Sequence, residues 1–316
     1  MEKYAVYVPR LIQKKEKFAP GHRACIGCGE ALAIRLAFKA LGNNIIVANA
    51  TGCAEIFSGQ LPLTTWEVPW IHTLFENTAA VASGIEAAYK VMRRKGVPLP
   101  ADTKVVAIGG DGATSDIGLQ ALSGAMERGH DFTYICFDNE AYMNTGIQRS
   151  SSTPFGAMTT TSPVGKKSIG QFSWKKNMPE IAVAHNIPYV ATATHSYPFD
   201  LMEKVRKAVA TPGPAYVHIL SVCPTGWRSA NDTIIRQGRL AVETGVFPLY
   251  EVVNGQYKMS LDLPKLRPVK DYLKIQGRFR HLSDDNIAKI QARVELEYQK
   301  LLEKVNHGSK KAKRSS

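Results

Sequence analysis

The sequence predicts an α/β fold, a mostly parallel sheet with helices on both faces, and three observations carry that prediction. Strand-like and helix-like segments alternate along most of the chain, the pattern of parallel strands joined by crossover helices. The central stretch is a complete unit of that kind. KVVAIG at 104–109 is a mostly apolar run of strand formers, 117–128 carries apolar residues at helical spacing, and TYICF at 133–137 is again strand-like. Finally, 316 residues are enough to bury a full core, so one large α/β domain with an appendage is expected rather than two equal domains.

Residues 1–18 mix charged with apolar side chains without a clear period and read as an extended arm lying on a partner. Pro20, Gly21 and His22 lead into CIGCG at 25–29, and EALAIRLAFKAL at 30–41 is a strong helix stopped by Gly42. IIVANA at 45–50 is a buried strand, with Thr51, Gly52 and Cys53 at its end. The stretch 60–71, with two prolines and two tryptophans, reads as a loop docked against something apolar. Residues 77–94 form a long Ala-rich helix, in which Gly84 suggests tight packing against the sheet or a symmetry mate. After the central unit, 150–172 is rich in Ser, Thr, Gly and Pro without periodicity, and a loop that long is usually functional.

A helix at 178–186, a strand at 189–194, a helix at 199–210 and a strand at 215–222 follow, the last ending in Cys223. Beyond residue 239 the pattern weakens. There, 250–261 reads as a hairpin turning at Asn254 and Gly255, 284–304 as a helix, and 308–316 as disordered by composition. The domain division is an arm at 1–20, a main domain at 21–240, and a C-terminal extension at 241–316 with a basic tail.

A formal charge of +13 suggests an acidic partner, and nucleic acid is the first class to weigh. The basic residues are scattered, however, with no nucleic-acid module among them, and a solvated surface accounts for any single cluster. No stretch approaches the roughly eighteen uninterrupted apolar residues of a membrane span, and 1–17 is too charged for a signal peptide. The expectation is a cytoplasmic protein without a membrane or nucleic-acid partner.

Parallel strands joined by a right-handed crossover bring both C-terminal ends to one edge of the sheet, so Asp111 and Asn139 emerge side by side. A carboxylate and an amide oxygen there supply part of the shell that a hard cation such as Mg²⁺ wants, and Gly110 and Gly112 allow a diphosphate close to the backbone. Gly110-Asp111-Gly112 followed by Asn139 resembles the thiamine diphosphate and Mg²⁺ motif of thiamine-dependent enzymes. The resemblance implies that Asp111, Asn139 and the carbonyl of Ala141 hold the metal on the diphosphate, with backbone contacts from Thr51 and Gly52. The run EAYMNTG at 140–146 is more specific, and resembles the 2-oxoacid:ferredoxin oxidoreductases of the pyruvate synthase type. It implies a place beside the cofactor for Asn144, whose amide reaches a substrate carboxylate or the diphosphate.

Of five cysteines, Cys25 and Cys28 form a C-x₂-C pair, while Cys53 and Cys223 each follow a strand. A helix packed on parallel strands runs antiparallel to them, so all four project from the edge that carries Asp111 and Asn139. Four thiolates in a cytoplasmic protein suit an iron–sulfur cluster or a structural zinc, and ligand count does not separate the two. The resemblance implies a [4Fe–4S] cluster on Cys25, Cys28, Cys53 and Cys223. Cys136, in mid-strand, reads as a buried small hydrophobe.

Glu76 and His72 sit before the Ala-rich helix, and Glu76 has two readings, a helix-end charge and an active-site group. His185, His195 and His218 lack metal-ligand spacing and read as structural. The resemblance covers most of 21–227, including WIHTLFEN at 70–77, and is to the separate β subunit of multi-subunit enzymes. It implies oxidative decarboxylation of a 2-oxoacid, pyruvate first, on thiamine diphosphate with CoA, electrons leaving through the cluster to ferredoxin. Other subunits (α, γ, δ or fused equivalents) would complete the site and carry the glutamate that activates thiamine. The alternatives are a branched-chain 2-oxoacid or oxalate as substrate and, from another class, a basic metal-cluster module acting on nucleic acid.

Overall fold

The structure, a computed structural model, describes residues 15–42, 44–60, 62–100 and 102–312. Most of the predicted arm and the last four residues of the predicted tail lie outside that range. The first half comprises α1 (Gly29–Ala40), β1 (Ile45–Ala50), α2 (Cys53–Ser58), β2 (Trp70–Thr73), α3 (Thr78–Arg94), β3 (Lys104–Gly110), α4 (Leu119–Glu127) and β4 (Phe132–Asp138). A two-residue hairpin, β5 (Val164–Gly165) and β6 (Ser168–Ile169), interrupts the long loop. Then come α5 (Met178–Ala184), β7 (Tyr189–Thr194), α6 (Pro198–Ala210), β8 (Ala215–Leu220), α7 (Pro224–Trp227), α8 (Ile234–Glu243), β9 (Tyr250–Val253), β10 (Gln256–Met259), α9 (Val269–Leu273) and α10 (Asp284–Ala312).

Eight strands form one sheet in the order β10-β9-β7-β8-β4-β3-β1-β2. The six from β2 to β7 are parallel, and β9 and β10 add an antiparallel margin. Central strands covered on both faces need apolar side chains at successive positions, which is why their sequences read as unbroken runs. Along β3, Val106 and Ile108 join one core, with Ile34 and Phe38 of α1 and Leu201 of α6. Val105 and Ala107 join the other, with Ala82 of α3, Leu122 of α4 and Ala182 of α5. A third core around Trp227, Leu240 and Phe279 ties α8 and α9 to Phe155 of the long loop.

Four expectations change. Phe18, expected to lie on a partner, is buried in this chain's own core and bridges Trp66. The helix after β3 opens with a π-helical turn, Ala113–Ile117, before α4 begins. Residues 308–312, expected to be disordered, continue α10. The hairpin at Asn254 and Gly255 forms as expected, but it pairs with β7, so the chain after residue 240 is woven into the same sheet. Among the described residues no helix is long and apolar enough to cross a membrane.

Candidate cofactor and metal site

The register Gly110↔Phe137 sets the ends of β3 and β4 side by side, and the chain continues from them into Asp111 and Asn139. Both side chains are buried. Ser150 Oγ, from the start of the long loop, donates to Asp111 Oδ2, leaving Oδ1 buried without a partner. Asn139 Nδ2 donates to Glu30 Oε2 at 3.1 Å, leaving Oδ1 likewise without one. Buried acceptors are almost always paired, so two orphaned oxygens on neighbouring strand ends are a pair that could hold an oxygen-seeking cation. Burial, and then the charge of Asp138, push the Asp111 carboxyl well above its usual range, and a bound cation would reverse that.

Ala141 is buried next to this pair. Gly110 faces open space on its Cβ side, as close approach by a diphosphate requires. Gly112 has a reason within the chain: a Cβ there would meet the Tyr142 ring at 2.3 Å, and Tyr142 donates to the Gly112 carbonyl. Thr51 and Gly52 turn β1 into α2. The Thr51 hydroxyl donates to the Thr73 carbonyl at 2.9 Å and lies 2.7 Å from His72 Nε2, tying the turn to the end of β2. Asn144 is exposed at the tip of a loop closed by two bonds between Tyr142 and Gln148, and no described contact joins it to Asp111 or Asn139.

The thiols follow the same edge. Cys28 is the N-cap of α1, Cys53 opens α2, and Cys223 is the N-cap of α7. The Gly29 amide donates to the Val222 carbonyl at 3.0 Å, which holds the first and last of these segments together. A Cβ on Gly29 would meet that carbonyl oxygen at 2.6 Å, so only glycine permits the approach. Burial, then the carboxylate of Glu30, raise the Cys28 thiol to about 12; burial raises Cys223 to about 11 and drives Cys53 up as well. Such thiols stay protonated unless a cation replaces the proton. Cys25 is exposed, and among the described residues no three His, Cys, Asp or Glu side chains form a closed metal cage. Cys136 is fully buried in β4.

Glu76 is exposed, and the N-cap of α3 is its neighbour Asn77. His185 contacts Ser123 and the Ile181 carbonyl, His195 two backbone carbonyls, and His218 Tyr216 and Asp138.

Residues 50–219 match the family described as thiamine pyrophosphate enzyme, C-terminal TPP binding domain. The chain is 57% identical over 284 residues to the pyruvate synthase subunit PorB of Methanocaldococcus jannaschii, covering 89% of this chain and 95% of that one. It is 51% identical to PorB of Pyrococcus furiosus, over 86% and 88% of the two chains. The chain belongs to the PorB family of 2-oxoacid:ferredoxin oxidoreductase β subunits. The ketoisovalerate oxidoreductase subunit VorB of Pyrococcus furiosus is 45% identical over 93% of this chain and 97% of its own. In fold, the chain is similar to a 2-oxoglutarate:ferredoxin oxidoreductase from Magnetococcus marinus, with TM-score 0.59, 23% identity and 89% of each chain covered.

This PorB-family chain carries two features that its sequence pattern does not announce. Glu30, in the first turn of α1, is a fully buried carboxyl raised by burial to about 7, held by Asn139 and the Ala54 amide. Its only signal is its position directly after CIGCG. Behind Asn139 runs an ionic chain. Asp138 Oδ2 accepts from His218 Nε2 at 2.7 Å and lies 2.5 Å from Lys175 Nζ; Lys175 also donates to Glu140 Oε1 at 2.8 Å, and Arg278 to Glu140 Oε2 at 2.5 Å. Arg278 stacks on Trp227, whose indole N–H donates to the Asn139 carbonyl at 2.9 Å. The segment bearing Asn139 and Ala141 is therefore clamped from both sides, although Glu140 itself has φ +71°.

Proposed function

We propose that this chain is the thiamine-binding β subunit of an oxidoreductase that decarboxylates pyruvate oxidatively with CoA, carrying Mg²⁺ and an iron–sulfur cluster. The observation that carries the reading is the pair of orphaned buried oxygens, Asp111 Oδ1 and Asn139 Oδ1, on adjacent parallel strand ends. With the Ala141 carbonyl they would hold Mg²⁺ on a diphosphate whose backbone approach Gly110 leaves open. Thiamine diphosphate, when bound, supplies the carbanion-stabilising chemistry, and the cluster an exit for single electrons.

The chain's own residues do the rest. Glu30 keeps the Asn139 amide turned so that its oxygen faces the cation, and Ser150 does the same for Asp111. Cys25, Cys28, Cys53 and Cys223 are the ligands assigned to the cluster, and Asn144 remains the group offered to the substrate carboxylate, on a loop free to close when partner subunits are present. Pyruvate is favoured by the 57% identity to a pyruvate synthase subunit, while a branched-chain 2-oxoacid is the second reading, favoured by the 45% identity to VorB. CoA and ferredoxin are the co-substrate and acceptor expected of that chemistry, in the cytoplasm.

The test is Asp111→Ala in the assembled enzyme. It should lose Mg²⁺-dependent thiamine diphosphate and pyruvate-dependent dye reduction while keeping its iron. Thiamine bound at wild-type stoichiometry in that variant would remove Asp111 from the site.

A further inference from the structure

The reaction proposed above releases a proton as well as electrons. A 2-oxoacid anion and a thiol give a thioester, CO₂, two electrons and one proton: the bond between carboxyl and carbonyl carbons and the thiol S–H bond break, and a C–S bond forms. The electrons leave through the assigned cluster to an iron–sulfur carrier. The proton needs a route of its own, because the strand-end side chains Asp111 and Asn139 are buried.

Three side chains stand in series at that edge. Asn49 of β1 is level with Ile108 of β3, so Thr51 leaves the sheet beside Gly110, whose Cβ side is open. The Thr51 hydroxyl has one hydrogen and two acceptors in reach, the Thr73 carbonyl at 2.9 Å and His72 Nε2 at 2.7 Å. With Nε2 protonated, His72 donates to Thr51 and Thr51 to Thr73; with Nε2 bare, the hydroxyl hydrogen can turn to the ring. On the other side of the ring, Nδ1 lies 3.7 Å from Glu55 Oε1, within ion-pair distance once the imidazole carries both protons. Glu55 Oε2 is buried without a partner among the described residues, so no other cation neutralises this carboxylate.

The ring is held in place and still reaches water. Trp70 stacks on His72 with centroids 6.3 Å apart and planes 14° from parallel, and Trp66 stacks on Trp70 in turn at 5.9 Å and 11°. The His72 side chain is nevertheless 43% exposed. Hydroxyl, imidazole and carboxylate in that order can pass a proton from a sheltered edge to solvent.

We propose that Thr51, His72 and Glu55 form a proton relay for the thiol proton lost in thioester formation, an inference that rests on the function proposed above. Thr51 takes the incoming proton on its oxygen as its own hydrogen passes to His72 Nε2, and so ends each cycle unchanged. His72 acts through Thr51, holds the charge as imidazolium opposite Glu55, and gives up a proton to solvent.

The test is pyruvate- and CoA-dependent dye reduction by the assembled enzyme carrying His72→Gln or His72→Ala. Gln can still donate to Thr51 but cannot carry a proton onward, so His72→Gln should lower kcat about a hundredfold or more while thiamine diphosphate and iron stay at wild-type amounts. His72→Ala should lose as much and regain at least about tenfold on addition of imidazole, a rescue that a merely structural histidine would not show. A fall of less than about tenfold in His72→Gln, thiamine lost from that variant, or an Ala variant that imidazole does not restore overturns the relay. If the wild-type assembly itself fails to reduce the dye with pyruvate and CoA, the functional reading falls and the relay with it, whereas wild-type turnover beside an unaffected Gln variant removes the relay alone.

Discussion

At Asp111, Asn139 and Glu30 burial raises the cost of every unpaired charge and acceptor; Glu30 is satisfied within the chain, and the oxygens left over on Asp111 and Asn139 would be completed by the proposed cation. The cysteines obey the same rule. Replacing Cys223 by Ala should leave a labile or absent cluster, read as lost iron, acid-labile sulfide and visible absorbance, whereas Cys136→Ala removes a side chain buried inside β4 and should leave the iron in place. Unchanged iron in Cys223→Ala would mean that this thiol is no ligand. A different residue governs acid stability. His195 is buried against the carbonyls of Leu220 and Ile234, and burial lowers its imidazole from 6.5 to about 4. Its folded value lies below the unfolded one, so between the two the unfolded chain binds more protons. Stability from this group is intact above about pH 6.5 and falls by about 3 kcal/mol as the pH drops to about 4. Urea unfolding at a series of pH values should show that slope and should show it flattened in His195→Asn.

Among the elements, two glycines separate backbone from packing. Gly255, at φ +77° in the β9–β10 turn, has nothing within 4 Å of a would-be Cβ, so Gly255→Ala should cost about 1 kcal/mol through the left-handed backbone alone. Gly84, in the middle of α3, also has an open Cβ position, which removes tight packing on the sheet as its reason. Gly84→Ala should therefore stabilise the separate chain by about 0.5–1 kcal/mol, and the same measurement, the midpoint of denaturant unfolding, reads both variants. The long elements were legible in the sequence because strands covered on both faces are unbroken apolar runs and helices repeat a 3.6 period: 45–50, 104–109, 133–137 and 189–194 all became strands, and 30–41 became α1 with its ends shifted by one residue. What was not legible lacks a period. The π-helical turn at Ala113–Ile117 depends on Ser115 bonding back to the Asp111 carbonyl and on Asp116 capturing Ser151. The continuation of α10 through 312 overrides a tail composition that favours disorder.

For the whole molecule, the decisive expectation is that this chain is inactive alone. Among the described residues one sheet edge carries the candidate cofactor residues, and large apolar side chains in the segments at that edge, Ile26, Leu74 and Ile117, with Phe172 on the long loop, are exposed and ask for a covering surface. Purified chain supplied with thiamine diphosphate, Mg²⁺, iron and sulfide should give no pyruvate-dependent reduction of ferredoxin or a viologen, and adding the co-purifying subunits should restore it. Full turnover by the lone chain would require an internal activating glutamate, with Glu55, whose Oε2 is buried and unpartnered beside His72, as the first candidate. The sequence alone determined the α/β class and the edge on which Asp111, Asn139, Cys28, Cys53 and Cys223 gather, because apolar strand runs, helical periodicity and the fixed hand of the crossover are local properties of the chain. Only the tertiary structure decided the partners. Glu30 meets Asn139 across 109 residues, and Arg278 meets Glu140 across 138. Lys175 reaches Asp138 and Glu140 from a loop with no repeating pattern, since buried charges are paired wherever the fold happens to bring opposite charges together, and no local pattern records that meeting.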